Sequence, residues 1–552
     1  MIKINRFKRY IFNGLLLSCV ALIMRTITVS FNVYVSAKIG SESMGLLTLT
    51  GGIYGFAITF ATSGINIAVV NRVSACLPYN SDYFDIRSNE CVKKIMKNAL
   101  FYCLVFSVAA SVILFISSEN IGKFLLGDIR TVPSLRLMSF SLVPISISSM
   151  LNGYFCAVRR VYKNVIVQFC EQGAKIFVVT FLLLTIAPKG IEYACVAVVA
   201  GGAFSEGVCV IVSGILYFFD RKIHSRKSNK IEGNVSKKGC FFINKFENKI
   251  SDEETKIIPI ALPIGISAYV RSALLTVEHL CIPWGLRKNG LNTSNALSSY
   301  GVLQGMVIPV LLFPSCILSS FSSLLVPELS SSLAKGDKTR IKRIVSRVFC
   351  TSLIFSVGVS GIFIAYSYEI GAFLYGNNEA GEYIRLLAPL IPLMYLDGSV
   401  DSMLKGLGQQ VYSMRVNILD SLISVILIVT VLPFYGIKGY VAVIFITELI
   451  NTSFSILKLI NITGIKTPVF KWVCIPLICI ITATFLSRVI FDFTVIDDKI
   501  TTVIEITVTS IIYLIIYTLL RKQPKKVAFY DFYRECVCNY QILFLEIYQW
   551  KC

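Results

Sequence analysis

Long apolar stretches, each separated from the next by a polar connection, run along almost the whole chain. Many of them approach the ~20 residues that an α-helix needs to cross the hydrocarbon core of a bilayer. The pattern therefore predicts an all-α polytopic membrane protein with about 14 transmembrane helices. The predicted spans lie near residues 10–35, 44–70, 99–117, 133–158, 165–187, 191–219, 257–283, 297–326, 348–368, 386–404, 416–433, 439–457, 472–490 and 503–520.

The stretch from Pro259 to Lys335 repeats the pattern of the stretch from Leu15 to Ala75. In each copy an arginine lies inside an apolar run, and a glycine-bearing segment follows a polar loop, MGLLTLTG in the first copy and YGVLQG in the second. NRVSA begins 26 positions after Gly45, and the matching PELSS begins 26 positions after Gly301. A shared offset over two long segments indicates internal duplication. In a membrane protein, duplication is typical of a transporter with its pathway between the halves.

The duplication predicts the organisation of the chain. Because each half has an even number of spans, both halves enter from the same side, so we expect two parallel six-helix repeats around a central cavity, plus two C-terminal helices. The predicted regions are an N-terminal lobe (1–219), a basic cytoplasmic linker (220–256), a C-terminal lobe (257–460), two extra transmembrane helices (461–520) and an amphipathic cytoplasmic tail (521–552).

Composition and charge narrow the class of protein. The chain is 55% hydrophobic and 15% charged, with a formal net charge of +21. Most of the Lys and Arg fall in alternate connections, which is the positive-inside bias and not a nucleic-acid surface. We therefore expect contact with membrane lipids, no nucleic acid, and both termini in the cytoplasm. The 17 cysteines are scattered and there are only two histidines, so we expect no metal centre and no cofactor.

Ionisable residues inside the spans are the candidates for function, because each is costly at the bilayer centre unless it faces a cavity or a partner. Arg25 and Arg271 lie at equivalent places in the two copies, so we expect a pseudo-twofold axis to bring both towards one central space. A guanidinium offers paired donors that match phosphate oxygens. Two of them in one cavity would suit a diphosphate headgroup, and the alternative is that each locks helix packing. Glu278, two helical turns beyond Arg271, is a candidate for a cation, a sugar or a coupling proton, and structural pairing is the alternative.

Four further residues are candidates for ion coupling. Asp397 and Asp401 are four apart, so they share a helix face and are able to bind a cation, contact a sugar hydroxyl or meet Lys405. Glu171 and Lys175 are also four apart, and a structural pair that neutralises itself is the alternative interpretation.

Several segments together resemble a known family. They are Met24-Arg25-Thr26, AKIGSESMGLLTL, NGYFCAVRRVYKNVIVQFCEQGAKIF, GIEYACVAV and LVPELSSSLAKGD. The chain resembles the stage V sporulation protein B branch of the multidrug/oligosaccharidyl-lipid/polysaccharide exporter superfamily, over about residues 10–460. The resemblance implies two six-helix bundles around a cavity and a family arginine at Arg25. Relatives often have glycine and a second arginine where this chain has Thr28 and Asn32, so Asn32 is a candidate for substrate contact.

The leading functional hypothesis is a flippase in the cell membrane that translocates an undecaprenyl-diphosphate-linked saccharide by alternating access. The resemblance implies a polysaccharide or peptidoglycan precursor, with the spore cortex as one destination and cell-wall synthesis enzymes as partners. No phosphate-binding loop for ATP occurs. Three alternatives are open: cation-coupled multidrug efflux, a membrane glycosyltransferase or acyltransferase, and a scaffold. We expect a transporter and not an enzyme, because the outer connections are short.

Overall fold

The computed structural model describes residues 2–76, 86–158, 160–186, 190–232, 257–465, 469–492 and 499–521. Within these ranges the regular elements are helical and no strand occurs, so the prediction of an all-α polytopic protein is confirmed. Eleven helices in the described ranges are long and apolar enough to cross a membrane. Two of them, Leu22–Cys76 and Gln410–Thr463, each cover two predicted spans. The exact count of 14 therefore stays a prediction.

Apolar runs become helices because a helix satisfies its backbone hydrogen bonds within one segment, which a membrane demands. The α-helices are Ile2–Thr62 (α1), Ile65–Cys76 (α2), Ile86–Asn120 (α3), Val132–Ala157 (α4), Val161–Thr185 (α5), Ile191–Glu232 (α6), Ile258–Lys288 (α7), Thr293–Tyr300 (α8), Ile308–Leu312 (α9), Ser315–Ala334 (α10), Lys338–Ala365 (α11), Ser367–Tyr375 (α12), Asn378–Leu387 (α13), Ile391–Gly406 (α14), Gln410–Thr463 (α15), Val469–Asp492 (α16) and Lys499–Arg521 (α17). Gly301–Val307 and Ile121–Leu126 are π-helical.

The two longest helices each contain one residue with non-helical torsion angles. In α1 this residue is Gly40, with a φ of 80°, and in α15 it is Gly436, with a φ of 58°. Positive φ values are accessible to glycine because it has no Cβ. Each helix therefore turns at its glycine and supplies two predicted spans.

One compact unit comprises Met1–Ser320, Leu374–Tyr383 and Met414–Asn451. One apolar cluster of this unit joins α2, α3 and α4 through fully buried side chains that include Val69, Ile95 and Phe155. A disulfide links Cys76 at the end of α2 to Cys91 in α3, a pairing that the sequence did not predict. The helices α2, α3 and α4 of this unit are therefore tightly packed against one another.

A buried carboxylate joins α6 to the connection between α4 and α5. Asp220 has no exposed surface, and it pairs with Arg160 and with Lys163, whose Nζ is 2.5 Å from its Oδ1. The Tyr154 hydroxyl donates to the other carboxylate oxygen at 3.1 Å. A buried carboxylate with several partners fixes the positions of the helices that it joins, because loss of one partner would leave buried charge uncompensated. The helix α6 continues past this residue to Glu232, into the first part of the predicted linker.

The second unit comprises Phe321–Phe373, Ile384–Ser413 and Thr452–Cys552. Here α16 and α17 pack on α11 at two glycines. A Cβ on Gly361 would lie 2.3 Å from Ile480 Cγ1, and one on Gly358 would lie 2.6 Å from Tyr513 Cε1. Small residues at these positions allow close helix packing where the hydrophobic effect contributes little.

The bounds of the five predicted regions stay predictions. The lobes (1–219 and 257–460) are not tested by the structure. Most of the linker and almost all of the amphipathic tail lie outside the described residues.

Candidate functional site

The first unit contains a cavity of about 570 Å³ that brings four ionisable side chains together. We call it the charged cavity. Its walls are α1, α4, α5, α6 and the stretch from Gln304 to Leu312. The predicted site residues that line it are Arg25, Asn32, Glu171 and Lys175, and Glu206 on α6 completes the set of charges.

Helix periodicity explains why these residues meet. On α1 the lining positions 25, 28 and 32 are spaced by three and four residues, which places them on one face. On α5 the lining positions 171 and 175 are four apart, one turn along the same face. A polar stripe on each of these two helices therefore turns towards one space.

The formal charges of the cavity cancel. Arg25 and Lys175 are cationic, and Glu171 and Glu206 are carboxylates. No ion pair within 4.0 Å joins any two of the four in the described part of the chain. The ion pair between Glu171 and Lys175 that the sequence spacing allows is therefore not formed. Charged side chains without ion-pair partners are available to a ligand. Inside a membrane helix, a charged side chain that faces neither a cavity nor a partner costs free energy.

Neutral polar groups complete the lining. The Asn32 amide donates to the Gly305 carbonyl at 3.0 Å and so ties α1 to the π-helix. Gln304 donates to the Tyr440 hydroxyl. The Nε2 atom of Gln172 is buried and has no hydrogen-bond partner among the described residues. The cavity thus offers amide donors and acceptors beside its charges.

Two predicted substrate residues lie elsewhere in the same unit. Arg271 is exposed on α7, and neither it nor Glu278 is among the residues that line the charged cavity. Glu278 accepts a hydrogen bond of 2.9 Å from Ser424. The two pairs also have different offsets, since positions 45 and 301 differ by 256 whereas positions 25 and 271 differ by 246. The two arginines are therefore not at equivalent positions in the register that the glycines define.

The two predicted aspartates belong to the second unit. Asp401 forms an ion pair with Lys405, whose Nζ lies 2.6 Å from its Oδ2, and it accepts a hydrogen bond from Ser413. Asp397 precedes it by one turn on α14 and is half-buried. The contact with Lys405 is the structural alternative that the spacing allowed. In the described ranges, no group of three or more His, Cys, Asp or Glu could hold a metal ion.

Sequence reasoning missed part of the lining. Glu206 is one of the ionisable residues inside the predicted spans, but its position in the sequence did not single it out as a site residue. Gln304 and Tyr54 were not singled out either, because neutral polar residues are common in transmembrane helices. Their role in the lining emerges only when the helices are in place.

The fold and the charged cavity define a multi-pass membrane protein of the flippase and transporter class. The profile of the family described as "Polysaccharide biosynthesis protein" matches residues 11–333, more than half of the chain. The chain belongs to that family. A second profile, MatE, matches residues 289–430.

Two curated relatives come from Bacillus subtilis (strain 168). Stage V sporulation protein B is 24% identical over 428 residues, which cover 77% of this chain and 78% of that protein. Lipid II flippase MurJ is 21% identical over 452 residues, which cover 76% of this chain and 78% of that protein. The resemblance to the exporter superfamily is thereby confirmed.

Solved structures share the fold. The lipid II flippase MurJ in an inward closed conformation superposes with a TM-score of 0.65 at 14% identity, over 95% of this chain and all of that one (100%). A multidrug resistance MATE family transporter in an inward-facing conformation gives a TM-score of 0.62 at 12% identity, over 81% of this chain and 98% of that one. At these identities the likeness concerns the fold alone.

Proposed function

We propose that this protein is a flippase that moves an undecaprenyl-diphosphate-linked saccharide from the inner to the outer leaflet of the cell membrane. The observation that carries the proposal is the charged cavity, in which Arg25 and Lys175 stand without ion-pair partners among the described residues. A guanidinium and an ammonium that line one cavity are suited to hold phosphate oxygens. Relatives that include a protein named lipid II flippase support the same substrate class.

The charge pattern of the cavity gives each group a role. We assign the diphosphate to Arg25 and Lys175, and the saccharide to the neutral amides beside them. Glu171 and Glu206 repel phosphate, so Arg25 and Lys175 are the charged groups of the cavity that would hold the headgroup. Translocation would follow alternating access with the lipid tail left in the bilayer. Asp397, Asp401, Glu171 and Lys175 remain our candidates for ion coupling, and a role in spore cortex synthesis, a partnership with cell-wall enzymes and cytoplasmic termini remain part of the proposal.

The test is retention of undecaprenyl diphosphate by the purified protein, measured by native mass spectrometry. An Arg25→Ala variant should lose roughly tenfold to a hundredfold in affinity, because hydrogen bonds to charged groups contribute ~1.5–3 kcal/mol. Arg271→Ala is the matched control, since Arg271 is exposed as Arg25 is but lies outside the charged cavity. Equal losses of affinity in both variants would show that the headgroup does not bind in the charged cavity. No retention by the wild type would overturn the flippase proposal.

Export of cationic compounds is the second candidate. It is favoured by one observation, the two carboxylates Glu171 and Glu206 in the same cavity. Native mass spectrometry also separates the two functions. A cation exporter should retain a lipophilic cation, and a Glu171→Gln, Glu206→Gln double variant should not retain it. In a diphosphate flippase, that double variant should retain the diphosphate lipid at least as well as the wild type.

A further inference from the structure

A second cavity of about 330 Å³ lies beside the charged cavity, between α1, α4, α5 and α6. We call it the amide cavity. It is lined by residues that include Ser149, Asn152, Asn164 and Gln168. The two cavities share Glu171 and Glu206, so these carboxylates stand in the wall between them.

The chemistry of the lining differs sharply from that of the charged cavity. Among the described lining residues of the amide cavity there is no Lys or Arg, so none of them offers a phosphate a counter-charge. Of the lining residues that the structure describes, three are aliphatic, Ile58, Ile145 and Val167, so a lipid chain would leave many amides and hydroxyls without partners. A neutral ligand rich in hydroxyl groups fits this lining.

The hydrogen-bond inventory shows which groups are available. The Asn164 amide donates to Asn152 Oδ1 at 2.7 Å, and the hydroxyls of Thr62 and Ser148 donate to carbonyls of their own helices. Those hydroxyl oxygens keep lone pairs that accept. Gln168 makes no hydrogen bond to any described residue, so both ends of its amide are free within that part of the chain.

We propose that the amide cavity binds one neutral sugar unit of the lipid-linked saccharide, while the diphosphate occupies the charged cavity. The inference rests on the proposed function. The space corresponds to about ten water molecules at ~30 Å³ each, which is room for one pyranose ring with its hydroxyls. Glu171 and Glu206 accept from sugar hydroxyls on one side and repel phosphate on the other. The ligand therefore has one orientation.

Two probes test the inference, undecaprenyl diphosphate and the same lipid carrying one N-acetylglucosamine. The wild type should bind the glycosylated lipid about tenfold more tightly, since a few new hydrogen bonds supply that factor. Gln168→Leu removes a free amide, and Ser149→Leu fills the amide cavity. Both variants should lose the preference for the sugar and keep the affinity for undecaprenyl diphosphate. Phe169→Leu, at an exposed neighbouring position outside both cavities, should keep the preference.

The outcomes separate this inference from the function on which it rests. Retention of both lipids with no preference by the wild type overturns the sugar site and leaves the flippase in place. A preference that survives in the folded Ser149→Leu protein also overturns it, because the space for a ring is then filled. Retention of neither lipid overturns both proposals. A thermal unfolding scan of each variant shows that loss of preference is not loss of fold.

Discussion

Helix α1 contacts the rest of the first unit in two contrasting ways. Near Gly45 it crosses α8 so closely that no side chain would fit, since a Cβ on Gly45 would lie 2.0 Å from the Leu297 carbonyl oxygen. A Cβ on Gly301 would lie 2.1 Å from the Ser41 carbonyl oxygen, so the two contacts mirror each other. The same helix lines the charged cavity with other side chains, from Arg25 to Val35 and again at Met44, Leu47, Thr48 and Tyr54.

The contrast shows what small and charged residues each require of their neighbours. Glycines permit backbone-to-backbone contact, which is how helices associate tightly in a membrane. Charges require the opposite, a space with water or ligand, because burial against apolar side chains is costly. The Ser41 and Ser298 hydroxyls, 2.6 Å apart, add a hydrogen bond to the closed stretch. We therefore expect substitutions to affect stability in the crossing and ligand binding in the cavity.

The largest effect should come from Gly301→Val. Its side chain would overlap the Ser41 carbonyl oxygen and the Gly45 backbone nitrogen, 2.1 and 2.5 Å from an ideal Cβ. Backbone atoms cannot move aside as a flexible side chain can, so we expect a loss of at least about 3 kcal/mol, the upper end of overpacking costs. The measurement is the apparent unfolding temperature of the purified protein in detergent.

Gly51→Ala is the matched control for that substitution. A Cβ at Gly51 meets nothing within 4 Å, so alanine should be neutral or stabilise by ~0.5–1 kcal/mol. If Gly301→Val unfolds at the same temperature as Gly51→Ala, the closed crossing is refuted.

The fold was largely accessible from the sequence, and the glycine crossing shows why. Apolar length specifies helices in a membrane, and duplication relates Gly45 to Gly301 by position alone. The structure adds that these two equivalent residues touch. The disulfide at Cys76 was not predictable, because pairing depends on how the ends of α2 and α3 approach each other.

The site was only partly accessible. Periodicity places Arg25 and Asn32 on one face, but it cannot say which way that face turns. The same limit applies to Arg271, which has the same residue type in a similar run and lies outside the charged cavity. The rotation of a helix about its axis is decided by packing against its neighbours, and packing is a property of the assembled unit.

A smaller effect is expected from Asn32→Leu, which acts where the cavity meets the π-helix. The substitution keeps the approximate volume of the side chain and removes its hydrogen bond of 3.0 Å to the Gly305 carbonyl. The loss should be about 1 kcal/mol, the typical net contribution of one hydrogen bond. Apparent unfolding temperature measures it, with Asn32→Gln as the control that retains a donor. A cost as large as that of Gly301→Val would mean that this stretch of α1 is closed as well.

The smallest effect is expected from Thr28→Val, and this substitution tests the open side of the comparison. Thr28 lines the charged cavity and is exposed, and its hydroxyl donates to the Met24 carbonyl of its own helix at 2.8 Å. Valine has the same shape, and the Met24 carbonyl keeps its backbone hydrogen bond, so the change in stability should be within about 0.5 kcal/mol. The same scan of unfolding temperature detects it. A marked loss would mean that a neighbour packs on Thr28 and that α1 is not open to the charged cavity at this position.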